Sequence, residues 1–297
     1  MADLPRFLPR RELGRTGFRV TRVGIGDLAD RGLGLEACVA TLRRALDAGL
    51  NLVDTAPAYE QGFSEEVVGR ALHGRREGVF VIDKVDLLDQ PVTKQVDESL
   101  ARLGLPGVDL FAFHDVSDVA VWRRLAAKGG AFDELGECVR AGKARFRGVS
   151  SHHPEVLREA LASGLCDVVL FPVGPFVDAR YETEILPEAR RRGVGTVCFK
   201  TFGGGMLVGD TSGYGRPLED PSKAPLPRLS VRECVQYTLT LDPDVALLGL
   251  STPAEQDAAL EAAASAEPFD AATLESVRVR AVEAMAHKGR AWWNPAR

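Results

Sequence analysis

The sequence predicts a single (β/α)8 barrel, an α/β fold in one domain over residues 1–297. Three observations carry that prediction. Helical and strand-like patterns alternate with a period of about thirty residues, the length of one βα unit. Eight strand-like runs can be counted, the number that closes such a barrel. The competing open, doubly wound sheet wants a GxGxxG loop after its first strand, and Gly24 and Gly26 supply only the first half of one.

The first strand is read from Val20 to Gly26. Leu35 to Ala48 reads as a helix, with Val39, Leu42, Ala45 and Leu46 on one face and Gly49 as its stop. Strand two, Leu50 to Asp54, follows at once. Ser64 caps the next helix, and Glu65 and Glu66 fill its first turn, where carboxylates favour the positive end of the helix dipole. Gly74 marks its end. Strand three runs Val79 to Lys84, helix three Val92 to Leu103, and strand four Val108 to His114. Helices Phe132 to Ala141, Pro154 to Ser163 and Glu182 to Arg192 then alternate with strands Ala144 to Val149, Asp167 to Phe171 and Val194 to Phe199. A Gly- and Pro-rich segment from Val208 to Leu229 precedes helix Ser230 to Leu241, strand Val245 to Gly249, helix Pro253 to Ala264 and a last helix near Ala271 to Ala286. Trp292 and Trp293 lie in the tail.

Four residues stand at or just beyond strand ends: Asp54, Tyr59, Lys84 and His114, spaced by five, twenty-five and thirty positions. Parallel barrel strands end at one rim, where this architecture does its chemistry, so the four should converge there. Tyr59 is the natural proton donor to a carbonyl oxygen, but a free phenol has a pKa near ~10. An ammonium at Lys84 would favour the phenolate and lower that pKa, and Asp54 would keep the lysine charged and aimed. His114 would bond and orient the substrate oxygen. Taken singly, Tyr59 reads as a loop residue and Lys84 as a snorkelling lysine.

The surrounding motifs decide between these readings. Leu13 to Gly17 reads Leu-Gly-Arg-Thr-Gly, Asp54 to Tyr59 reads Asp-Thr-Ala-Pro-Ala-Tyr, Ser64-Glu65 and Gly69 follow, then Lys84, then Asp109-Leu110 ahead of His114. On these motifs, and on Gly142 to Ser150, the chain resembles the aldo-keto reductase superfamily over nearly its whole length. The resemblance implies a barrel that reduces carbonyls with a nicotinamide, with Tyr59 as acid, Lys84 and Asp54 tuning it, and His114 positioning substrate.

The same resemblance implies where the cofactor would lie. Ser150 matches the family after strand five, but Ser151 stands where many relatives have an Asn for the nicotinamide carboxamide. Leu170 to Phe176 offers no Gln at strand six, so the pocket should be more apolar. Lys200, Thr201 and the glycines Gly203, Gly204 and Gly205 could wrap a pyrophosphate with backbone N–H groups. Ser251 and Thr252 open the helix after strand eight, whose N-terminal N–H groups suit an anion or ribose, although ordinary capping explains them equally well. Asp27 would face the cofactor side of the first strand and could touch a substrate hydroxyl, hinting at a sugar-like ligand, whereas a turn aspartate is the simpler reading. NADP(H) is favoured by family habit. NAD(H) stays open, because Asp242 to Val277 holds no Lys or Arg to pair a 2′-phosphate, only Glu255 and Asp257. Lys200 is the one substitute in view.

Composition narrows the partners. Hydrophobic residues are 45% of the chain and mean hydropathy is −0.06, with no apolar run near the ~20 residues of a membrane span. No leader-like apolar region opens the sequence, so a cytoplasmic protein is expected. The net charge of −5 is scattered without a basic block, which argues against nucleic acid. The five cysteines are isolated and read as reduced core thiols. His152 and His153 read as loop residues, and no metal is expected. The segment from Asp115 to Gly130 with Trp122, the 208–229 segment and the Trp tail are candidate lids. Two other functions stay open: a redox-sensing barrel that binds nucleotide with little turnover, and a Schiff-base aldolase with Lys84 as nucleophile, disfavoured because Asp54 would keep that lysine charged.

Overall fold

The computed structural model describes residues 6–209, 227–249, 252–286, 288, 291, 293 and 294. Among these, eight parallel strands close a barrel in sequence order: β1 (Val23–Ile25), β2 (Leu52–Asp54), β3 (Phe80–Val85), β4 (Val108–Phe113), β5 (Ala144–Ser150), β6 (Val168–Pro172), β7 (Gly195–Phe199) and β8 (Val245–Leu248). β8 returns to pair with β1, through Ala246 opposite Val23. The helical layer is α1 (Leu35–Asp47), α2 (Phe63–Leu72), α3 (Val92–Leu103), α4 (Val119–Ala126), α5 (Ala131–Arg140), α6 (Pro154–Ser163), α7 (Leu186–Arg192), α8 (Val231–Thr240), α9 (Pro253–Ala264) and α10 (Ala271–Met285).

Strand side chains alternate between two faces. Leu52, Phe80, Ile82, Leu110, Ala112, Val168, Leu170, Val197 and Leu247 fill the barrel interior. The residues between them, among them Val53, Val81, Phe111, Val169 and Cys198, pack outward against the helices. The inward phase runs on from Leu52 to Asp54, from Ile82 to Lys84 and from Ala112 to His114, which points all three toward the C-terminal mouth. All five cysteines are buried free thiols. No helix among the described residues is long and apolar enough to cross a membrane.

Ser64 does not cap its helix: α2 starts at Phe63 with Gly62 as N-cap, and the Ser64 hydroxyl accepts from Thr55 Oγ1 at 2.8 Å. Two larger departures concern the elements themselves. The run from Val20 to Gly26 is not one strand. Arg19–Val20 pairs antiparallel with Arg11–Glu12, and only Val23–Ile25 joins the barrel. Thr21 diverts the chain between them, its hydroxyl donating to Val23 O at 2.7 Å and its N–H to Asn51 Oδ1 at 2.9 Å. The hairpin puts Leu13 and Val20 into the interior cluster and so closes the barrel's N-terminal end. Gly14 is required there: its φ is 50°, and a Cβ would lie 2.2 Å from Gly195 N.

The second departure is α4, inside the segment read as a lid. Asp118 caps it by accepting from Ala120 N at 2.6 Å and Val121 N at 3.1 Å, a signal present in the sequence. Trp122 is buried against Phe132, ring centroids 5.1 Å apart, so it belongs to the helical layer and not to a cover over the mouth. Most of the 208–229 segment, and Trp292, lie outside the described residues. The described part of the tail puts Trp293, fully buried, into a third apolar cluster with Met206, Leu207, Leu229 and Tyr237.

Candidate active site

Asp54, Tyr59, Lys84 and His114 do come together. Lys84 is buried and its Nζ donates to Asp54 Oδ1 at 2.6 Å and to Thr55 O at 2.7 Å. The same Nζ stands 4.7 Å from the centre of the Tyr59 ring, and the His114 ring meets that ring edge-on at 5.5 Å. Burial works against an ammonium, but Asp54, Tyr59 and Asp83 outweigh it and raise the pKa of Lys84. Burial raises the Asp54 carboxyl above its ordinary value, with Lys84 offsetting part of the effect.

Tyr59 differs from expectation. Burial raises the phenol above its ordinary value, and Lys84 offsets only part of that. Desolvation of the phenolate outweighs the nearby ammonium, so the resting side chain is the neutral phenol. The chain geometry that places it is unusual. Glu60 and Gln61, directly after it, have φ of 49° and 55°, left-handed values that cost non-glycine residues about 1–2 kcal/mol each. Arg31 fastens this turn by donating to Glu60 O from Nε at 3.0 Å and Nη2 at 2.5 Å. On the other side Ala58 N–H donates to Asp86 Oδ2 at 2.6 Å.

Asp86 and Arg31 escaped the sequence reading. Asp86 also accepts from His114 Nδ1. Its only sequence signal was its position two residues beyond the strand-end Lys84. His152 is likewise more than a loop residue: it is buried, and its Nδ1 lies 2.9 Å from Asp115 Oδ1. No group of three or more His, Cys, Asp or Glu able to hold a metal ion occurs among the described residues.

Asp27 lies beside the quartet. Its Oδ1 accepts from Ala29 N at 3.1 Å, a turn contact, and its charge couples to Asp54 and Lys84. Burial raises its pKa to about 6, opposed by the Ala29 and Ser64 hydrogen bonds. A carboxyl raised in the folded state holds its proton where the unfolded chain has lost it. The resulting stability is complete below the unfolded value near ~4 and is lost as pH rises through about 6. Asp27→Asn should therefore flatten the pH dependence of unfolding free energy between pH 4 and 6 by on the order of 2 kcal/mol. Urea melts of both proteins across that window check it, and superimposable profiles would refute it.

The cofactor-side residues divide. Ser150 ends β5 and is buried. Ser151 is buried too, but its Oγ accepts from His153 N at 3.0 Å and donates to His153 O at 3.3 Å, so the hydroxyl is engaged by its own turn. Thr201 Oγ1 is buried with no hydrogen-bond partner among the described residues, an orphan acceptor and donor directly after β7. Gly203, Gly204 and Gly205 have φ of 55°, 65° and 83°, and a Cβ at Gly203 would lie 3.0 Å from Leu207 Cγ. An unsatisfied hydroxyl beside three left-handed glycines fits a phosphate-bearing ligand. Lys200 lies with its Nζ 5.2 Å from the Trp293 ring, and burial lowers its pKa to about 8. Ser251 lies outside the described residues. Thr252 caps α9, accepting from Glu255 N, while the Glu255 carboxylate accepts from Thr252 N at 3.2 Å. The absence of a cation near this helix does not hold in three dimensions: Arg44 of α1 donates to Pro253 O at 3.3 Å and forms an ion pair with Asp257.

Comparison with known proteins agrees with this geometry. The family model described as Aldo/keto reductase family matches residues 24–272. The chain is 28% identical over 226 residues to the NADH-specific methylglyoxal reductase of Escherichia coli, covering 66% of this chain and 68% of that protein. It is 29% identical over 255 residues to the pyridoxal 4-dehydrogenase of Microbacterium luteolum, covering 69% and 73%. In structure it matches the holo form of aldo-keto reductase AKR11C1 from Bacillus halodurans with a TM-score of 0.70 at 24% identity, over 92% of this chain and 96% of that one. An aldo-keto reductase from Klebsiella pneumoniae in complex with NADPH matches with a TM-score of 0.68 at 20% identity, over 98% and 97%. A family match over most of the chain, carried on a barrel whose mouth gathers Asp54, Tyr59, Lys84 and His114, identifies this protein as a member of the aldo/keto reductase family.

Proposed function

We propose that this barrel reduces a small aldehyde or ketone to the alcohol, with Tyr59 giving the proton to the carbonyl oxygen. The observation that carries the reading is the buried Lys84–Asp54 pair at 2.6 Å, with its ammonium 4.7 Å from the Tyr59 ring. The family makes the protein an NAD(P)H-dependent oxidoreductase, and the dihydronicotinamide supplies hydride when bound. Tyr59, a neutral phenol at rest, holds the proton until negative charge develops on the substrate oxygen. Lys84 then stabilises the phenolate that remains. His114 bonds the same oxygen and fixes its direction. Asp27 faces a substrate hydroxyl, which favours small hydroxylated carbonyls. Ser150, Thr201 and Gly203 to Gly205 hold the nucleotide, with Thr252 at the start of α9.

Consumption of NADH or NADPH by the purified protein with a generic aromatic aldehyde tests this, followed by absorbance. Tight nucleotide binding with no turnover across a broad carbonyl panel would favour the redox-sensing reading instead. A Schiff-base aldolase needs a neutral amine, and the Asp54 pair holds Lys84 as the ammonium.

Charge near α9 bears on nucleotide choice. Glu255 occupies the first turn, and the nearby Arg44 is engaged by Asp257. NAD(H) therefore stands open beside the favoured NADP(H). Asp257→Ala should release Arg44 for a 2′-phosphate and tighten NADPH by about tenfold, ~1.4 kcal/mol, without changing NADH. Fluorescence titration with the two nucleotides reads this. An equal change for both would refute a phosphate contact by Arg44.

A further inference from the structure

Asp83 stands on β3 directly before Lys84, and because neighbours on a strand face opposite ways, it points to the helical layer while Lys84 points to the mouth. It is fully buried. Its Oδ1 accepts Lys84 N–H at 2.8 Å, while Oδ2 is buried with no hydrogen-bond partner among the described residues. Glu65, in the first turn of α2, is fully buried as well. Both of its oxygens accept from Arg102 of α3, Oε1 from Nη2 at 3.0 Å and Oε2 from Nε. Arg102 also donates to Ser99 Oγ at 3.2 Å, and no bond from it reaches Asp83. A buried carboxylate with one donor for two oxygens is costly, whereas a carboxylic acid has a hydrogen to give from the oxygen that lacks a partner. Burial, and then the charge of Glu65, raise the Asp83 carboxyl well above its ordinary value, with Lys84 offsetting part of the effect. Two acids buried together with one guanidinium retain one proton between them, and Arg102, bonded to Glu65 alone, leaves that proton to Asp83.

We propose that Asp83 is a positioning residue: as a neutral acid it donates Oδ2–H to the Glu65 carboxylate and so fastens the first turn of α2 to the strand end that carries Lys84. Its consequence for turnover rests on the carbonyl-reductase reading. α2 begins directly after the Tyr59–Gly62 turn, so the bond sets the turn of the acid against the ammonium that stands 4.7 Å from the Tyr59 ring. The charged groups around Asp83 come from four elements: Glu65 of α2, Arg102 of α3, Lys84 of β3 itself and Asp54 of β2. Only Glu65 combines the sign and the burial to take the hydrogen while leaving the Lys84–Asp54 pair intact. A neighbouring bond, Thr55 Oγ1 to Ser64 Oγ at 2.8 Å, ties the same turn of α2 to the end of β2. The bond to Glu65 exists while Asp83 keeps its proton and is lost as pH rises through the folded titration of that carboxyl, when two anions would be buried side by side.

Two substitutions separate this role from a structural one. Asp83→Asn keeps both contacts, its oxygen for Lys84 N–H and its NH2 for Glu65, whereas Asp83→Ser can still accept Lys84 N–H but is too short to reach Glu65. At neutral pH the infrared spectrum of the nucleotide-free wild type should show a carboxylic-acid C=O band that is missing from Asp83→Asn. kcat for carbonyl reduction should stay within about twofold of wild type in Asp83→Asn and fall by ~10- to 10²-fold in Asp83→Ser, the scale of a small misplacement of reacting groups, with nucleotide affinity unchanged in both. A wild-type spectrum without that band would show Asp83 ionised and overturn the shared proton. An Asn variant as slow as the Ser variant, or a folded Ser variant as fast as wild type, would overturn the positioning role. If Asp83→Ser does not fold, the pH course decides: band and kcat of the wild type should fall together as pH rises, Asp83→Asn should lack that part of the fall, and a band that disappears with kcat unchanged overturns the role. If the wild type turns over no carbonyl, the reductase reading fails, and the infrared difference still decides whether Asp83 holds the proton.

Discussion

Tyr59→Phe should lower kcat for carbonyl reduction by ~10²- to 10⁴-fold, the range expected for loss of a positioned general acid. The substitution removes one hydroxyl and leaves the ring that meets Lys84 at 4.7 Å and His114 at 5.5 Å. Nucleotide affinity should not change, because the proposed nucleotide contacts, at the glycines after β7 and the α9 cap, do not use the phenol hydroxyl. The discriminating measurement is therefore paired: steady-state turnover, and nucleotide titration on the same preparation. Turnover undiminished in the variant would remove Tyr59 as the acid. A loss of nucleotide binding would mean that the phenol acts on the cofactor site, contrary to the proposed division of labour.

The second large effect is on stability. Lys84→Met should destabilise the fold by ~3–5 kcal/mol near neutral pH, because it leaves Asp54, buried at 4% exposure, without its counter-ion. The cost should depend on pH in a defined direction. Burial already raises the Asp54 carboxyl, and removal of the ammonium raises it further. A carboxyl raised in the folded state confers stability below its unfolded value near ~4, and this is lost as pH rises through the folded value. Lys84→Met should thus be more stable at pH 5 than at pH 8 by denaturant melts. Lys84→Met combined with Asp54→Leu should recover much of the loss while remaining inactive, since an apolar pair of similar size often equals or exceeds a buried ion pair. A double variant no more stable than the single would show that the loss comes from packing and not from a stranded charge. In the wild type, the raised Lys84 contributes stability that is complete below ~10.4 and lost only as pH rises through its folded value, far into the alkaline range.

Much of the barrel was legible because its signals are local. Apolar alternation with period two and the glycines closing helices, such as Gly49 and Gly74 with φ of 100° and 75°, depend on neighbours along the chain. The splitting of the first strand was not legible, since Thr21 is diverted by Asn51, thirty positions away. α4 was overlooked despite its Asp118 cap, because the segment between Asp115 and Gly130 was read as one long loop.

The sequence by itself determined the eight-stranded barrel and the meeting of Asp54, Tyr59, Lys84 and His114, because parallel strands in register must deliver their last inward residues to the same rim. Only the tertiary structure decided their electrostatics and their supports. The phenol of Tyr59 is raised and not lowered, because burial is a property of everything packed around it and no spacing encodes it. Asp86 reaches His114 across 28 positions, Asp115 reaches His152 across 37, and Arg44 reaches Asp257 across 213. Such pairs join different βα units, so they exist only once the barrel has closed.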